Sequence, residues 1–375
     1  MKILCVDIGT GTQDILLYNS DQEIENCLKL VMPSPTLRVA REVKQATREG
    51  RSIVLTGVTM GGGPSHWAVM DHIKAGHKAY ATPEAARTFD DELDKVERMG
   101  ITVIAEEEAR RLDESDQLIS LRDFDFDTIR SAFAAFGIDL KLDGLALAVF
   151  DHGNAPAGYS DRQFRFDYLE ERIRAENRLS AFAYKRSELP PILTRLQAVE
   201  ATADFDGEVL LMDTAPAAVL GALLDPNVVQ HEQLIVSNVG NFHTLAFRLG
   251  PGGIEGLFEH HTGEITLSQL DGFIDKLIDG TLQHREVFDT QGHGALVFKR
   301  EPMSDADRFV TIVGPRRSLL RDSKHRPYLA VPFGDMMIAG CVGLLRAYAD
   351  RYPEHADLIF DSLRGSIRSA PWDVV

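Results

Sequence analysis

Short apolar runs alternate with amphipathic stretches along almost the whole chain, the pattern of an α/β protein. Lys2–Val6 and Ile15–Tyr18 are apolar runs joined by a Gly/Thr-rich turn, which predicts a β-hairpin. Leu37–Thr47 has helical spacing, Ser52–Thr56 is a buried-strand candidate, and the glycine-rich stretch Gly57–Gly63 follows it. Pro64 suits the first position of the next helix and Gly76 its end. Thr82–Met99 is expected to be helical, Ile101–Ile104 and Leu142–Phe150 to be strands, and Phe164–Arg178 a helix. Ser187–Val199 is looser, broken by Pro190 and Pro191. A second strand–helix–strand run opens at Val209. It comprises a strand Val209–Met212, a helix Ala215–Leu224 and a hairpin built from Gln233–Val236 and Leu245–Leu249. Leu267–Asp279 reads as a helix, Phe309–Val313 as a strand and Met336–Arg351 as a helix. Two hairpin-led halves with intervening helices point to a duplicated α/β architecture.

The first hairpin turn, Asp7-Ile8-Gly9-Thr10-Gly11-Thr12-Gln13-Asp14, carries two glycines. They let the backbone fold back with its N–H groups pointing inward, as a phosphate cradle needs, although an ordinary Gly/Thr turn would show the same pattern. Asp7, at the strand end, is placed to hold a hydrated Mg²⁺, which prefers oxygen ligands and keeps several waters. The second hairpin carries Ser237-Asn238-Val239-Gly240-Asn241-Phe242-His243-Thr244 between apolar strands. Asp213-Thr214-Ala215-Pro216-Ala217-Ala218-Val219-Leu220-Gly221 opens one helix, and Ile338-Ala339-Gly340-Cys341-Val342-Gly343-Leu344 lies in another. Thr311-Ile312-Val313-Gly314-Pro315-Arg316-Arg317 ends a strand in a glycine turn.

In this order, across residues 3–348, these segments resemble the five motifs of the actin-like superfamily of sugar kinases, acetate kinases, actins and heat-shock chaperones. Asp7–Asp14 and Ser237–Thr244 resemble its two phosphate motifs. The Asp213 and Gly340 segments resemble the two connecting helices, and the Gly314 segment resembles the turn that covers adenosine. The resemblance implies a two-lobed actin-like (ribonuclease H-like) duplicated fold with a central interlobe cleft. It also implies ATP and Mg²⁺ as cofactors. Phosphate would lie against Gly9, Thr10, Gly11, Thr12 and Gln13 on one side, and Asn238, Gly240, Asn241, His243 and Thr244 on the other. Adenosine would lie near Gly314, Pro315 and Gly340. Asp7 would be the cation ligand and a catalytic group, with Asp213 as catalytic acid/base; Asp213 equally suits a helix N-cap. The expected division is an N-terminal lobe with an inserted subdomain (1–230), a C-terminal lobe (231–335) and a C-terminal helix packing back at the lobe interface (336–375). Two departures bear on chemistry. Asn238 replaces the usual acid and brings no charge, and a single glycine followed by Pro315 forms the adenosine turn.

The chain as a whole also resembles an actin-like family that carries the label of pyruvate formate-lyase activating proteins. A radical S-adenosylmethionine activase holds its cluster with three closely spaced cysteines, whereas Cys5, Cys27 and Cys341 are far apart, which argues against that chemistry. Cys341 stands in a Gly-Cys-x-Gly context like that of actin-like dehydratase activators, which need two cysteines per subunit. A buried structural role is expected for it.

Composition narrows the function further. The 375 residues carry a net charge of −17, which argues against a nonspecific nucleic-acid binder or a polybasic membrane-surface protein. No run approaches a membrane span, and Asp7 interrupts the N-terminal apolar stretch, so a cytoplasmic location is expected. The expected partner is a small-molecule substrate, with no nucleic acid and no membrane; a homodimer is left open. The leading expectation is a phosphotransferase or ATPase. The alternatives are a non-catalytic nucleotide or small-ligand sensor, and a metal-dependent enzyme built on the histidines of the second half.

Those histidines are Glu259-His260-His261 with His243, His284 and His293, whose spacing matches no zinc pattern. Asp151-His152-Gly153-Asn154 ends a strand, where it reads as a general base, a metal ligand or a polar turn. Gly57–Gly63 has neither GxGxxG nor GK[ST], and reads as an anion- or substrate-binding loop in preference to a tight turn, with His66 and Trp67 at the following helix start either lining the pocket or serving capping and packing. The acidic runs Asp90–Glu97 and Glu106–Asp116 read as solvated helix faces, and Asp123–Asp127 as a loop or edge segment.

Overall fold

The computed structural model describes residues 1–111, 116–304, 308–370 and 372. Part of the acidic run Glu106–Asp116, at 112–115, lies outside the described residues. The predicted hairpin is present as β1 (Lys2–Ile8) and β2 (Thr12–Asn19), extended by an antiparallel edge strand, β3 (Leu28–Pro33). An inserted unit follows, made of β4 (Ile53–Gly57), β5 (Ala79–Ala81), β6 (Ile101–Val103) and β7 (Gln117–Leu121). These strands form a parallel sheet in the order β6-β5-β4-β7. The helix Pro35–Glu49 covers that sheet. It is capped by the Ser34 side chain, started by Pro35 and stopped by Gly50 at φ 70°, and its Val39, Ala40, Val43 and Ala46 join the inserted unit's core.

The chain then returns to the first sheet with β8 (Gly144–Val149), β9 (Ala183–Lys185) and β10 (Glu208–Asp213). β8 is parallel to β1 and buried along its whole length, because both faces of the sheet are covered. β10 is parallel to β8, and β9 closes the edge antiparallel to β10. The second lobe repeats the plan. β11 (Leu234–Val239), β12 (His243–Gly250) and β13 (Gly253–His261) form an antiparallel meander, with β14 (Gly294–Val297) beside β13. β15 (Phe309–Val313) is parallel to β11, and β16 (Tyr328–Leu329) is parallel to β15. The orders β3-β2-β1-β8-β10 and β13-β12-β11-β15-β16 are the same path traced twice. The protein therefore has the duplicated, two-lobed, ribonuclease H-like architecture of an actin-like chain.

Several elements differ from their sequence reading. The expected helix Thr82–Met99 is broken into Pro83–Ala86 and Leu93–Arg98, and the intervening Asp90, Asp91 and Glu92 rim a cavity instead of lining a solvated helix face. Ser187–Val199 contains the start of a helix, Thr194–Ala201. β3 escaped the pattern because it is an edge strand with exposed Leu28, Val31 and Met32, and β13 because its residues are buried on both faces and do not alternate.

Two helices join the lobes: Thr214–Ala222, directly after β10, and Ala339–Arg351. They cross backbone to backbone. A Cβ on Gly221 would overlap the Ala339 carbonyl, and one on Gly343 would overlap the Ala217 carbonyl. Backbone on each side leaves no flexible atom to give way. Gly221→Ala and Gly343→Ala are each expected to destabilise the fold by about 1–3 kcal/mol, read as a lower urea midpoint. Gly272, half-buried in the helix Leu267–Ile278, has open space around its Cβ position. Gly272→Ala should instead stabilise by about 0.5–1 kcal/mol.

Candidate functional site

The two hairpin turns have the same construction. The Gly9 N–H donates to the Thr12 carbonyl at 2.9 Å, and the Gly240 N–H donates to the His243 carbonyl at 2.9 Å. Their registers match as well, with Asp7 opposite Asp14 and Asn238 opposite Leu245. The turns meet across the cleft so closely that a Cβ on Gly11 would overlap the Asn241 side-chain amide. Gly9, Thr10, Thr12, Asn238, Gly240, Asn241 and His243 line a narrow interlobe cavity of about 100 Å³, together with Asp7, Gly314, Pro315 and Gly340. Gln13 and Thr244 are engaged elsewhere: the Gln13 amide donates to the Pro33 carbonyl, and Thr244 shares a hydrogen bond with Thr262.

Asp7 forms the floor of this cavity. Its Oδ1 accepts the Thr214 hydroxyl at 2.5 Å, and its Oδ2 packs where Gly340 has no side chain. Across the hairpin, buried Asp14 leaves Oδ1 without a hydrogen-bond partner. Burial pushes the Asp7 carboxyl up to about 7, partly offset by the Thr214 hydroxyl and reinforced by Asp213. Burial pushes Asp14 up to about 8, with the negative field of Asp7 adding to it.

Asp213 occupies the last position of β10 and caps the helix that follows. Its Oδ1 accepts the Ala215 N–H at 3.1 Å, and its Oδ2 accepts Arg165 Nη1 at 2.7 Å. The sequence reading missed Arg165, which belongs to the helix Asp161–Ala175, a charged stretch that looks solvated from its composition. It is fully buried, stacked on Phe150 at 3.9 Å. Its Nε donates to Glu259 of the second lobe at 2.8 Å. The only signal for it was its place between Phe164 and Phe166.

Beside the turns opens a larger cavity of about 810 Å³. Thr59–Gly63, between β4 and the helix Pro64–Lys74, forms one wall, and the segment 150–161 forms another. Arg195 stands at the junction and lines both cavities. It grips Asp123 bidentately at 2.6 and 3.0 Å, and donates to the Phe150 carbonyl at 2.6 Å. The same Asp123 accepts the Gly61 N–H, and a side chain on Gly61 would collide with Arg195. Asp123 thus ties the glycine-rich loop to the cleft, a role its Phe/Asp alternation did not disclose. Trp67 is largely exposed, with its ring 6.0 Å from Phe242 of the second turn; His66 packs against Phe89.

The histidines divide into two sets. His152 Nε2 and His293 Nε2 are 2.9 Å apart, and His243 has a donor atom within 4.8 Å of both. His261 adds a fourth ring, 4.7 Å from His293. His260 is turned away from the cluster, its two ring nitrogens facing the His261 and Thr290 carbonyls, and His284 packs apart against Phe288. Asp151 gives its oxygens to the Gly153 and Leu196 N–H groups, so Asp151 and His152 do not act as a pair.

Residues 60–319, 260 of the 375, match the family described as "Putative pyruvate format-lyase activating enzyme (DUF1786)". The chain belongs to this family. No curated protein matches the sequence. Among solved structures, the chain is similar to a ROK hexokinase from Thermus thermophilus at 13% identity. That likeness covers 95% of this chain and all of that one, with a TM-score of 0.31. The ethanolamine utilization protein EutJ from Carboxydothermus hydrogenoformans is 11% identical, over 92% of this chain and 89% of that one, with a TM-score of 0.31. A ROK family transcriptional regulator, described as a homolog of E. coli MLC protein, is 8% identical over 68% of this chain, with a TM-score of 0.26. The chain spans 37% of that regulator's length. The architecture stands on its own repeated strand order, not on these likenesses. Among the described residues, no helix is long and apolar enough to cross a membrane.

The raised carboxyls have a thermodynamic signature. Asp7 and Asp14 hold their protons to about 7 and about 8 when folded, against 3.8 in a free chain, so unfolding releases protons and stability falls as pH rises through that window. The buried histidines, held below their usual 6.5, contribute the opposite slope only at lower pH. Urea midpoints measured without divalent cations should therefore drop between pH 6.5 and 8, and Asp14→Asn should flatten that drop.

Proposed function

We propose that the protein is a nucleoside-triphosphate-dependent phosphotransferase or ATPase, with a small-molecule substrate in the cavity beside its phosphate turns. One observation carries the reading. Two turns of equivalent construction oppose each other over the half-buried Asp7 and the buried Asp14, one of whose oxygens has no partner, and their cleft opens into a space of about 810 Å³. That volume falls in the range of about 300–1,000 Å³ common for ligand sites. The Gly9 and Gly240 N–H groups close the turns, and the backbone N–H groups between them, at Thr10 and Gly11 and at Asn241 and Phe242, would be the anion donors.

The residues present fit a cation. One Asp14 oxygen lacks a partner, and burial together with neighbouring carboxyls pushes both groups up, a penalty that a cation would relieve. Asp7 and Asp14 would hold Mg²⁺, whose chemistry when bound is to neutralise charge on phosphate oxygens. Thr214 orients Asp7, and Asp213 positions Arg165; proton transfer by Asp213 would require breaking that ion pair. A cleft of about 100 Å³ must widen to admit a nucleotide, so the lobes part on binding.

The residues do not fit the cluster of a radical activase. Cys5, Cys27 and Cys341 are buried free thiols packed in one apolar core, and burial pushes each thiol up. Among the described residues none of them joins a group of metal-ligating side chains.

A sensor that binds nucleotide without turnover is a second reading. It is favoured by Asn238, which supplies no charge, and by the Asn241 amide packed against Gly11 where phosphate would enter.

Calorimetry with ATP and Mg²⁺, run beside a phosphate-release assay, separates these readings. For the phosphotransferase or ATPase we expect binding with turnover, and a loss of about 100-fold or more in turnover for Asp7→Asn. Binding without turnover selects the sensor, and absence of binding overturns both.

A further inference from the structure

We propose that His152, His243 and His293 form a binding site for one divalent transition metal of the zinc class, which joins the two lobes and keeps a coordination position open to the large cavity. The site goes beyond the nucleotide reading and does not depend on it.

The three imidazoles come from three separate segments. His152 follows β8 in the first lobe, His243 opens β12 in the second, and His293 immediately precedes β14. Their donor atoms all lie within 4.8 Å of one another. Two nitrogens bound to a tetrahedral zinc at about 2.0–2.1 Å stand roughly 3.4 Å apart. The His152–His293 separation of 2.9 Å needs to widen by only about half an ångström to meet that value.

The unsatisfied atoms around the cluster point the same way. His243 Nε2 and His293 Nδ1 are buried without hydrogen-bond partners, as is Glu259 Oε1. Buried polar groups are ordinarily paired, so three orphans in one place require an explanation. Glu259 Oε1 and His293 Nδ1 are 3.3 Å apart without an aligned hydrogen bond. A small ring rotation would let His293 donate Nδ1–H to Glu259 and present Nε2 to the metal, the carboxylate–histidine arrangement that orients ligating imidazoles. His152 Nε2 and His293 Nε2 now share a hydrogen bond, so a metal entering between them displaces the one proton they hold in common.

Three protein ligands with an open position describe a catalytic rather than a structural zinc site. His152 and His243 both line the large cavity, so the remaining position takes water or an oxygen of the ligand held there. The other grouping of potential ligands, Glu208, Glu354 and His355, lies nearer the surface. It is already occupied internally, since Glu208 accepts from Tyr348 and His355.

The test uses the full chain, stripped with a chelator and titrated with Co²⁺. We expect one Co²⁺ per chain with the intense visible bands of a four-coordinate ion, displaced by Zn²⁺. His152→Ala and His293→Ala should weaken binding by about 100-fold or more, while His355→Ala leaves it unchanged. X-ray absorption on the zinc-loaded wild-type protein should show imidazole nitrogens in the coordination shell, a readout that stands even if a variant misfolds. Zinc surrounded by oxygen alone would overturn the site, as would Co²⁺ binding unaffected by His152→Ala. Weakly coloured six-coordinate Co²⁺ that is lost in Asp7→Asn would also overturn it, by placing the metal among the phosphate turns, and would leave the nucleotide reading intact.

Discussion

The close crossing of Thr214–Ala222 and Ala339–Arg351 is the constraint on which the rest of the molecule depends. Each helix begins where a lobe presents its chemistry: the first follows Asp213 at the end of β10, and the second carries Gly340 against Asp7. Only hydrogen at Gly221 and Gly343 allows backbone to meet backbone. That approach brings the two sheets near enough for turns on opposite lobes to touch, and residues of both sheets pack with these helices in one apolar core.

Charge accumulates at the edge this crossing creates. β1, β8 and β10 are parallel, so Asp7, Asp151 and Asp213 emerge together at or just beyond their carboxyl ends. Parallel strands with covered faces commonly build ligand sites at that edge. Each carboxylate is compensated differently. Asp151 accepts two backbone N–H groups, Asp213 takes a backbone N–H and Arg165, and Asp7 has a single hydroxyl with Asp14 close by. The least compensated carboxyls are left at Asp7 and Asp14, where the two turns face each other and burial favours their protonated forms.

Arg165 gives this arrangement an interlobe component. It binds Asp213 in its own lobe and Glu259 in the other, and both pairs are almost wholly removed from water. Separating a buried pair costs several kcal/mol, so the lobes are held together on the side of Glu259 and the histidines.

The sequence by itself determined the two hairpins and most of the helix starts and stops, though not the break within Thr82–Met99. These rest on local physics: apolar period, Gly and Pro punctuation, and short polar turns that only a few residues can make. The order of the five motifs came from the family resemblance. Each turn was legible because its residues are adjacent in the chain, whereas placing Asp7 and both turns in one site rested on the family resemblance and not on spacing. The tertiary structure alone decided what Asp213 pairs with, that Arg165 and Asp123 are buried anchors, and that the acidic bend Asp90–Glu92 rims a cavity. It also decided which histidines meet. His152 is 91 positions from His243 and 141 from His293, and no spacing rule connects segments that are joined only when two sheets dock. Burial and pairing at such distances follow from how the lobes pack, and that packing depends on every contact across the interface at once.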